Sequence, residues 1–377
     1  MDSLTDWFTL KAVPGIGNHI YKRLIDAFGS PGEVFTAPRS KLLAVDGVSE
    51  KIAAAIAAHS TPETAHKNID LCRRHGIDVI TMTDPAYPTL LREIPDPPPY
   101  LYVKGKLTAD AACLAIVGSR NPTSYGLSMA GQLGRDLASR GLTVVSGLAR
   151  GIDTAAHEGA LDAGGPTWAV LGSGLANIYP ENNKKLAAKI AETGAVISEF
   201  PVLAGPDHHH FPVRNRVISG MSTGTVVVEA ARKSGSLITA RLAAEQGREV
   251  FAVPGSIQSF KSTGTHGLLK QGATLVESAA DILSEIAHML SDTRSLPDPG
   301  SQAAGATDKT SAAAGLSSEE ASLLGLLEPY PAHIDDISRK AAMAPGQTAA
   351  VLLNLELKGL IQQEPGNFFL LKEAAIE

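Results

Sequence analysis

The fold is decided by the stretch CLAIVGSRNPTSYG, residues 113–126, in which an apolar run leads straight into Gly118-Ser119-Arg120 and then a helix-compatible segment, Gly126–Arg140. A continuous apolar run, without the alternation of a strand wetted on one face, marks a strand buried on both sides. The same pattern recurs at LTVVSG (142–147), TWAVLG (167–172), AVISE (195–199), TVVVEA (225–230), EVFAVPG (249–255) and ATLV (273–276). Helical stretches at Asn182–Thr193 and Leu237–Gln246 lie between them. Alternation of this kind predicts an α/β fold: a Rossmann-like, doubly wound core with a parallel sheet covered on both faces.

Outward from the core, residues 1–66 read as a helical domain of the helix-hairpin-helix or SAM-like kind. Within it AVPGIGNHIYKRLIDAFGS and AVDGVSEKIAAAIAAHS each place a Gly turn between apolar helices. Such turns suit a phosphate oxygen, or serve simply as a packing module, since the second turn is GVS with Asp46 beside it. The Rossmann-like core is assigned to residues 67–290 and a flexible linker to 291–315, where Ser, Ala, Gly, Pro and Asp crowd out all large apolar residues except Leu296. Residues 316–377 read as a winged-helix-like domain: a capping box Ser317-x-x-Glu320, helices around Ile334–Ala342 and Gln347–Lys358, and a β pair, Leu360–Gln363 and Phe368–Leu371. Its third helix carries one Lys and one Glu where a groove reader needs several cations or amides, so protein contact is the better expectation for this domain.

Composition excludes several classes. With 377 residues, 44% hydrophobic and 19% charged, the chain is globular and has room for two or three domains. No apolar run is long enough for a membrane span and no basic n-region precedes an apolar stretch, so a cytoplasmic protein without membrane contact is expected. Cys72 and Cys113 stand alone and predict buried thiols rather than a disulfide or zinc framework. The net charge of -6 argues against indiscriminate coating of nucleic acid, but it is unevenly placed: residues 316–377 hold 4 basic and 9 acidic side chains, residues 111–290 hold 15 and 14.

In an open parallel sheet the ligand crevice lies beyond the carboxyl ends of the strands. The candidate turns there are Gly118-Ser119-Arg120; Ser146-Gly147-Leu148-Ala149-Arg150-Gly151, followed by Asp153 and His157; Gly172-Ser173-Gly174; and Arg232-Lys233-Ser234-Gly235-Ser236. Small residues with Arg or Lys forks suit phosphate. A strand-Gly-helix turn is also what helix packing alone demands, and His157 reads as a core or capping histidine rather than a base. There is no G-x-G-x-x-G with a ribose carboxylate, no P-loop and no nucleophile elbow, which excludes the corresponding cofactor and enzyme classes. No cofactor is expected.

His208-His209-His210-Phe211-Pro212-Val213-Arg214-Asn215-Arg216 is the less common feature. An aromatic followed by two arginines offers a stacking face and two cationic forks, as single-stranded nucleic acid requires. Metal binding by the histidines is disfavoured, because adjacent side chains diverge and no carboxylate or thiol has ligand spacing. Phe211 could otherwise be an ordinary core aromatic.

Together the runs DPAYPTLLREIPDPPPYLYVKG, IVGSRNPTSYG, VSGLARGIDTAAH, LGSGLANIYPENN, ISEFP, FPVRNRVISGMS, VVVEAARKSGSLITARLAAEQGREVFAVPG and GTHGLLKQGA resemble the bacterial DNA-processing protein A (DprA/Smf) family over about Thr83–Ala273. The resemblance implies a mediator that binds incoming single-stranded DNA, protects it, dimerises through the core and loads the RecA recombinase during natural transformation. It maps DNA contacts onto Gly118, Ser119, Arg120, Ser146, Gly147, Arg150, Gly151, His208, Phe211, Arg214, Asn215, Arg216, Lys233, Ser234, Gly235 and Ser236. Ala176, His208 and His266 depart from the family pattern. His208 stands where some members carry Lys, so affinity is expected to rise as pH falls toward 6. The competing readings are a nucleotide phosphoribohydrolase-type enzyme, with Glu199 or Glu229 as carboxylates, and a pure scaffold.

Overall fold

The computed structural model describes residues 4–290, 317–327, 332–341, 343–364 and 366–371. The linker expected at 291–315 lies outside the described residues. The described residues fall into two compact units.

The larger unit is built on a sheet of nine strands: β1 (Asp78–Thr81), β2 (Tyr100–Gly105), β3 (Cys113–Val117), β4 (Thr143–Ser146), β5 (Thr167–Leu171), β6 (Ala195–Ser198), β7 (Gly224–Val227), β8 (Glu249–Ala252) and β9 (Thr274–Leu275). Their order is β1-β2-β6-β5-β4-β3-β7-β8-β9. Every residue of β3 to β7 is buried, which is why these runs are apolar throughout and do not alternate. The intervening helices fall within two residues of their expected bounds: Ser124–Ser139, Lys184–Thr193 and Gly235–Glu245.

One expectation needs correcting. The sheet is mixed, because β2 pairs antiparallel with both β1 and β6. The Pro-rich stretch ahead of β2 masked this edge, since Pro at 97–99 reads as loop.

The helices of residues 4–57 are not an appended module. Trp7, Leu10, Tyr21, Leu24 and Ile56 belong to the same buried cluster as Val117, Val145 and Ile197, and the helix Glu63–His75 runs through the expected division at 66/67. A charged contact reinforces the apolar one. Lys11, in the helix Leu4–Ala12, donates to Asn18, and the half-buried ammonium is pushed down by burial but held up by Glu199 at the end of β6. Both Cys72 and Cys113 are buried free thiols.

From β3 the chain winds one way through β4, β5 and β6, then returns and winds the other way through β7, β8 and β9. The reversal lies between β3 and β7, so the crevice beyond their carboxyl ends is the topological switch point.

The smaller unit has the helices Ser318–Leu324, Ile334–Ala341 and Pro345–Leu357 and a three-stranded sheet in which Phe368–Leu371 lies between Ala332–His333 and Ile361–Glu364. Ser317 and Glu320 form the expected capping box, and Leu323, Ile337, Leu352, Leu355 and Ile361 fill a separate core.

Candidate nucleic-acid interface

A cavity of about 930 Å³ opens at the switch point. Its wall after β3 is Gly118, Ser119, Arg120 and Asn121; its wall after β7 includes Lys233, Ser234, Gly235 and Ser236. The helix His210–Gly220 supplies Phe211, Arg214 and Asn215, and His208 precedes it. Of the expected contacts, these residues are brought together. Ser146, Gly147, Arg150, Gly151 and Arg216 are not on the cavity wall.

The reasons are steric and electrostatic. A Cβ on Gly147 would stand 2.4 Å from the Arg214 guanidinium, and one on Gly172 would stand 2.7 Å from the Phe211 ring. One on Gly118 would meet Ile152 at 2.7 Å. These glycines admit protein side chains, the packing role open to any strand-Gly-helix turn, and of them Gly118 also lines the cavity. Gly151 has φ +81, and a Cβ there would lie 2.5 Å from the Ser119 carbonyl; with Ile152 N donating to that carbonyl at 3.2 Å, the segment 146–152 is the brace behind the Ser119-Arg120 turn. Ser146 Oγ is spent on the Ile116 carbonyl at 2.6 Å. By contrast, nothing lies within 4 Å of a Cβ on Gly235, so this turn is open to close approach. It starts an eleven-residue helix, with Ser234 Oγ accepting from Ser236 N and the two serine hydroxyls 2.7 Å apart. Open backbone N–H groups at such a terminus favour an anion.

The arginines divide sharply. Arg214 is buried, donating to the Gly147 carbonyl at 2.7 Å and to the Val170 carbonyl, and burial pushes its guanidinium down to about 10 while Asp153 holds it up. Arg216 is buried against Glu199 and against Asp96, at 3.2 Å in the latter pair. The expectation of two free cationic forks in FPVRNR is therefore corrected: Arg216 neutralises carboxylates at the junction with the helical part, and Arg214 lines the cavity with its guanidinium tied to two backbone carbonyls. Arg120 and Lys233 are exposed and, among the described residues, unpaired with any carboxylate. Arg120 sits 5.5 Å from the centroid of the Phe211 ring. Tyr179, whose ring centroid is 5.9 Å from that of Phe211, joins the same wall. Tyr179 falls in the run LGSGLANIYPENN, but a Tyr beside a Pro in a loop announces no ligand until the fold returns it to Phe211.

Asp153 accepts from Gly147 N at 3.1 Å and Ala149 N at 3.2 Å; burial pushes its carboxyl up, and Arg214 opposes the shift. His157 is fully buried with Nδ1 2.7 Å from Thr167 Oγ1, and since that hydroxyl donates to the Val144 carbonyl, the imidazole is the donor to Thr167. Burial pushes it down to about 3. It is a core histidine, as expected. Glu199 and Glu229 are both off the cavity wall, which removes the carboxylates the phosphoribohydrolase reading relied on. The argument against metal at the histidines is also revised: His208 and His209 rings are 3.8 Å apart and, with Asp207, bring three ligand atoms within 4.8 Å, all on exposed side chains.

An anion seat on each side of a switch-point crevice, with aromatic rings at one end, suits a class of protein: a binder of phosphate-linked, stackable polymers. The family model of DNA recombination-mediator protein A matches residues 78–287, and that of the DprA winged helix domain matches 307–367. The chain is 33% identical to the Synechocystis protein Smf over 96% of both chains, and 42% identical to the Escherichia coli protein Smf over 76% of both. It resembles the X-ray structure of DNA processing protein A from Streptococcus pneumoniae with a TM-score of 0.62 and 34% identity, covering 75% of this chain and 98% of that one. The chain belongs to the DprA/Smf family of DNA recombination mediators.

Proposed function

We propose that this protein binds single-stranded DNA without reading its sequence, protects incoming strands and loads the RecA recombinase on them during natural transformation, acting as a cytoplasmic homodimer and catalysing no reaction itself. The observation that carries the binding step is the pairing of unspent cations, Arg120 and Lys233, with the aromatic wall of Phe211 and Tyr179 in one cavity. Phosphate contacts and base stacking are the two terms of sequence-tolerant single-strand affinity. Stacking on these rings needs bases free of their partners, which favours single strands over duplex.

The test is salt-dependent binding of single-stranded against duplex DNA by the full chain, with RecA filament assembly scored on the same strands. The full chain is required, because a fragment beginning at 111 would strip β2 from β6. Preference for single strands and faster filament assembly are expected. Equal affinity for duplex, or none for either, refutes the binding step, and unchanged filament assembly refutes the loading step.

A further inference from the structure

The far wall of the cavity carries a feature that lies outside every family motif of this chain. After β8 the chain forms a loop that ends in Phe260-Lys261, and both residues line the cavity. Phe260 is 70% exposed, yet its backbone is fixed: Thr263 Oγ1 donates to its carbonyl at 2.7 Å, Lys261 N donates to Ser259 Oγ at 3.3 Å, and His266 Nε2 lies 3.0 Å from the Gly255 carbonyl at the loop's base. A large apolar ring held out on a braced loop, beside a cation that has no carboxylate partner among the described residues, repeats the composition of the Phe211–Arg120 wall.

We infer that Phe260 and Lys261 form a second stacking and phosphate station for the strand, opposite the first. This rests on the single-strand reading above and extends it. Phe211 packs over Gly172 at the end of β5, and Phe260 follows β8. Those strands are four sheet steps apart in the order β5-β4-β3-β7-β8. At roughly 4.8 Å per step the strand ends are about 19 Å apart, an upper bound on the spacing of the rings because Phe211 reaches Arg120 after β3 and Gly264 N donates to the Ala230 carbonyl after β7; at 3.4 Å each, that span holds at most about five or six stacked nucleotides. A strand held at both stations therefore crosses the switch point over Arg120 and Lys233. The site becomes a two-ended clamp with a defined minimum length of occupant.

The experiment compares oligothymidylates of about three and about ten nucleotides on wild type, Phe260→Ala, Lys261→Ala, Phe211→Ala and a Phe260→Trp reporter. Phe260→Ala is expected to weaken the longer oligomer by about 5- to 150-fold, the range for one stacked base, and to leave the shorter one unchanged. Lys261→Ala should flatten the salt dependence of the longer oligomer by about 0.7 in log–log slope, and the longer oligomer should quench the indole fluorescence that Phe260→Trp introduces. If Phe260→Ala binds both lengths like wild type while Phe211→Ala does not, the second station is refuted and the single-strand reading stands. If instead Phe260→Ala alters only sedimentation, the ring is a protein contact and the inference fails. Wild type that binds neither length overturns both readings.

Discussion

Replacing Arg120 with Ala separates charge from stacking at the cavity. Its guanidinium is exposed, in no ion pair among the described residues, and 5.5 Å from the Phe211 centroid, so the variant removes a phosphate fork together with a through-space attraction to the buried Asp153 carboxylate. A single-strand contact to one phosphate contributes about 0.7 to the slope of log K against log salt. Over a fourfold rise, from about 50 to 200 mM, that slope amounts to roughly 2.6-fold. Arg120→Ala should thus bind about tenfold or more weakly at low salt, with the deficit shrinking about 2.6-fold across the titration. Phe211→Ala should lose about 5- to 150-fold at every salt concentration, with the wild-type slope intact. Fluorescence anisotropy of a labelled oligothymidylate reads both quantities. An Arg120→Ala variant with the wild-type slope would refute the phosphate assignment, whatever its affinity.

Three further outcomes are expected. Arg216→Met leaves Glu199 and Asp96 without their buried cation and should cost about 3–5 kcal/mol of stability in denaturant unfolding, while single-strand affinity per folded molecule stays unchanged; a selective loss of affinity would restore Arg216 as a DNA contact. Gly172→Ala places a methyl 2.7 Å from the Phe211 ring and should lower affinity as Phe211→Ala does, with near-native circular dichroism; unchanged affinity would show that the ring's position is immaterial. His157 is held down to about 3 by burial, below its value of 6.5 in the unfolded chain, so its contribution is full above pH 6.5 and is lost as pH falls toward 3. That loss amounts to about 1.4 kcal/mol per pH unit below 6.5, and His157→Asn should remove this component of the acid limb in a pH series of chemical denaturation; an unchanged limb would refute the assignment.

The parallel strands were legible because full burial on both faces forces continuous apolar runs, and the helices between them because their apolar positions recur at helical spacing. The capping box of the smaller unit was equally local: Ser317 and Glu320 are three residues apart and satisfy each other. The antiparallel edge was not legible, since β2 is a short strand entered through prolines and its pairing with β6 depends on a residue separation of nearly a hundred, with Tyr102 opposite Ser198.

The site divides in the same way. Sequence by itself determined that small, hydroxylic and cationic residues collect at strand ends, because the chain must turn there and those turns lie together at one edge of a parallel sheet. It could not determine which cations face the crevice. Arg214 and Arg216 are two residues apart in one motif, and Arg120 lies nearly a hundred residues away, yet only Arg120 stands exposed in the cavity. The deciding groups are the Gly147 and Val170 carbonyls for Arg214 and the Glu199 and Asp96 carboxylates for Arg216. All lie elsewhere in the chain, and they hold each guanidinium against protein groups before any phosphate arrives, although Arg214 Nε and Arg216 Nη1 keep no partner among the described residues. Charge type is written in the chain; its availability is settled by what packs against it.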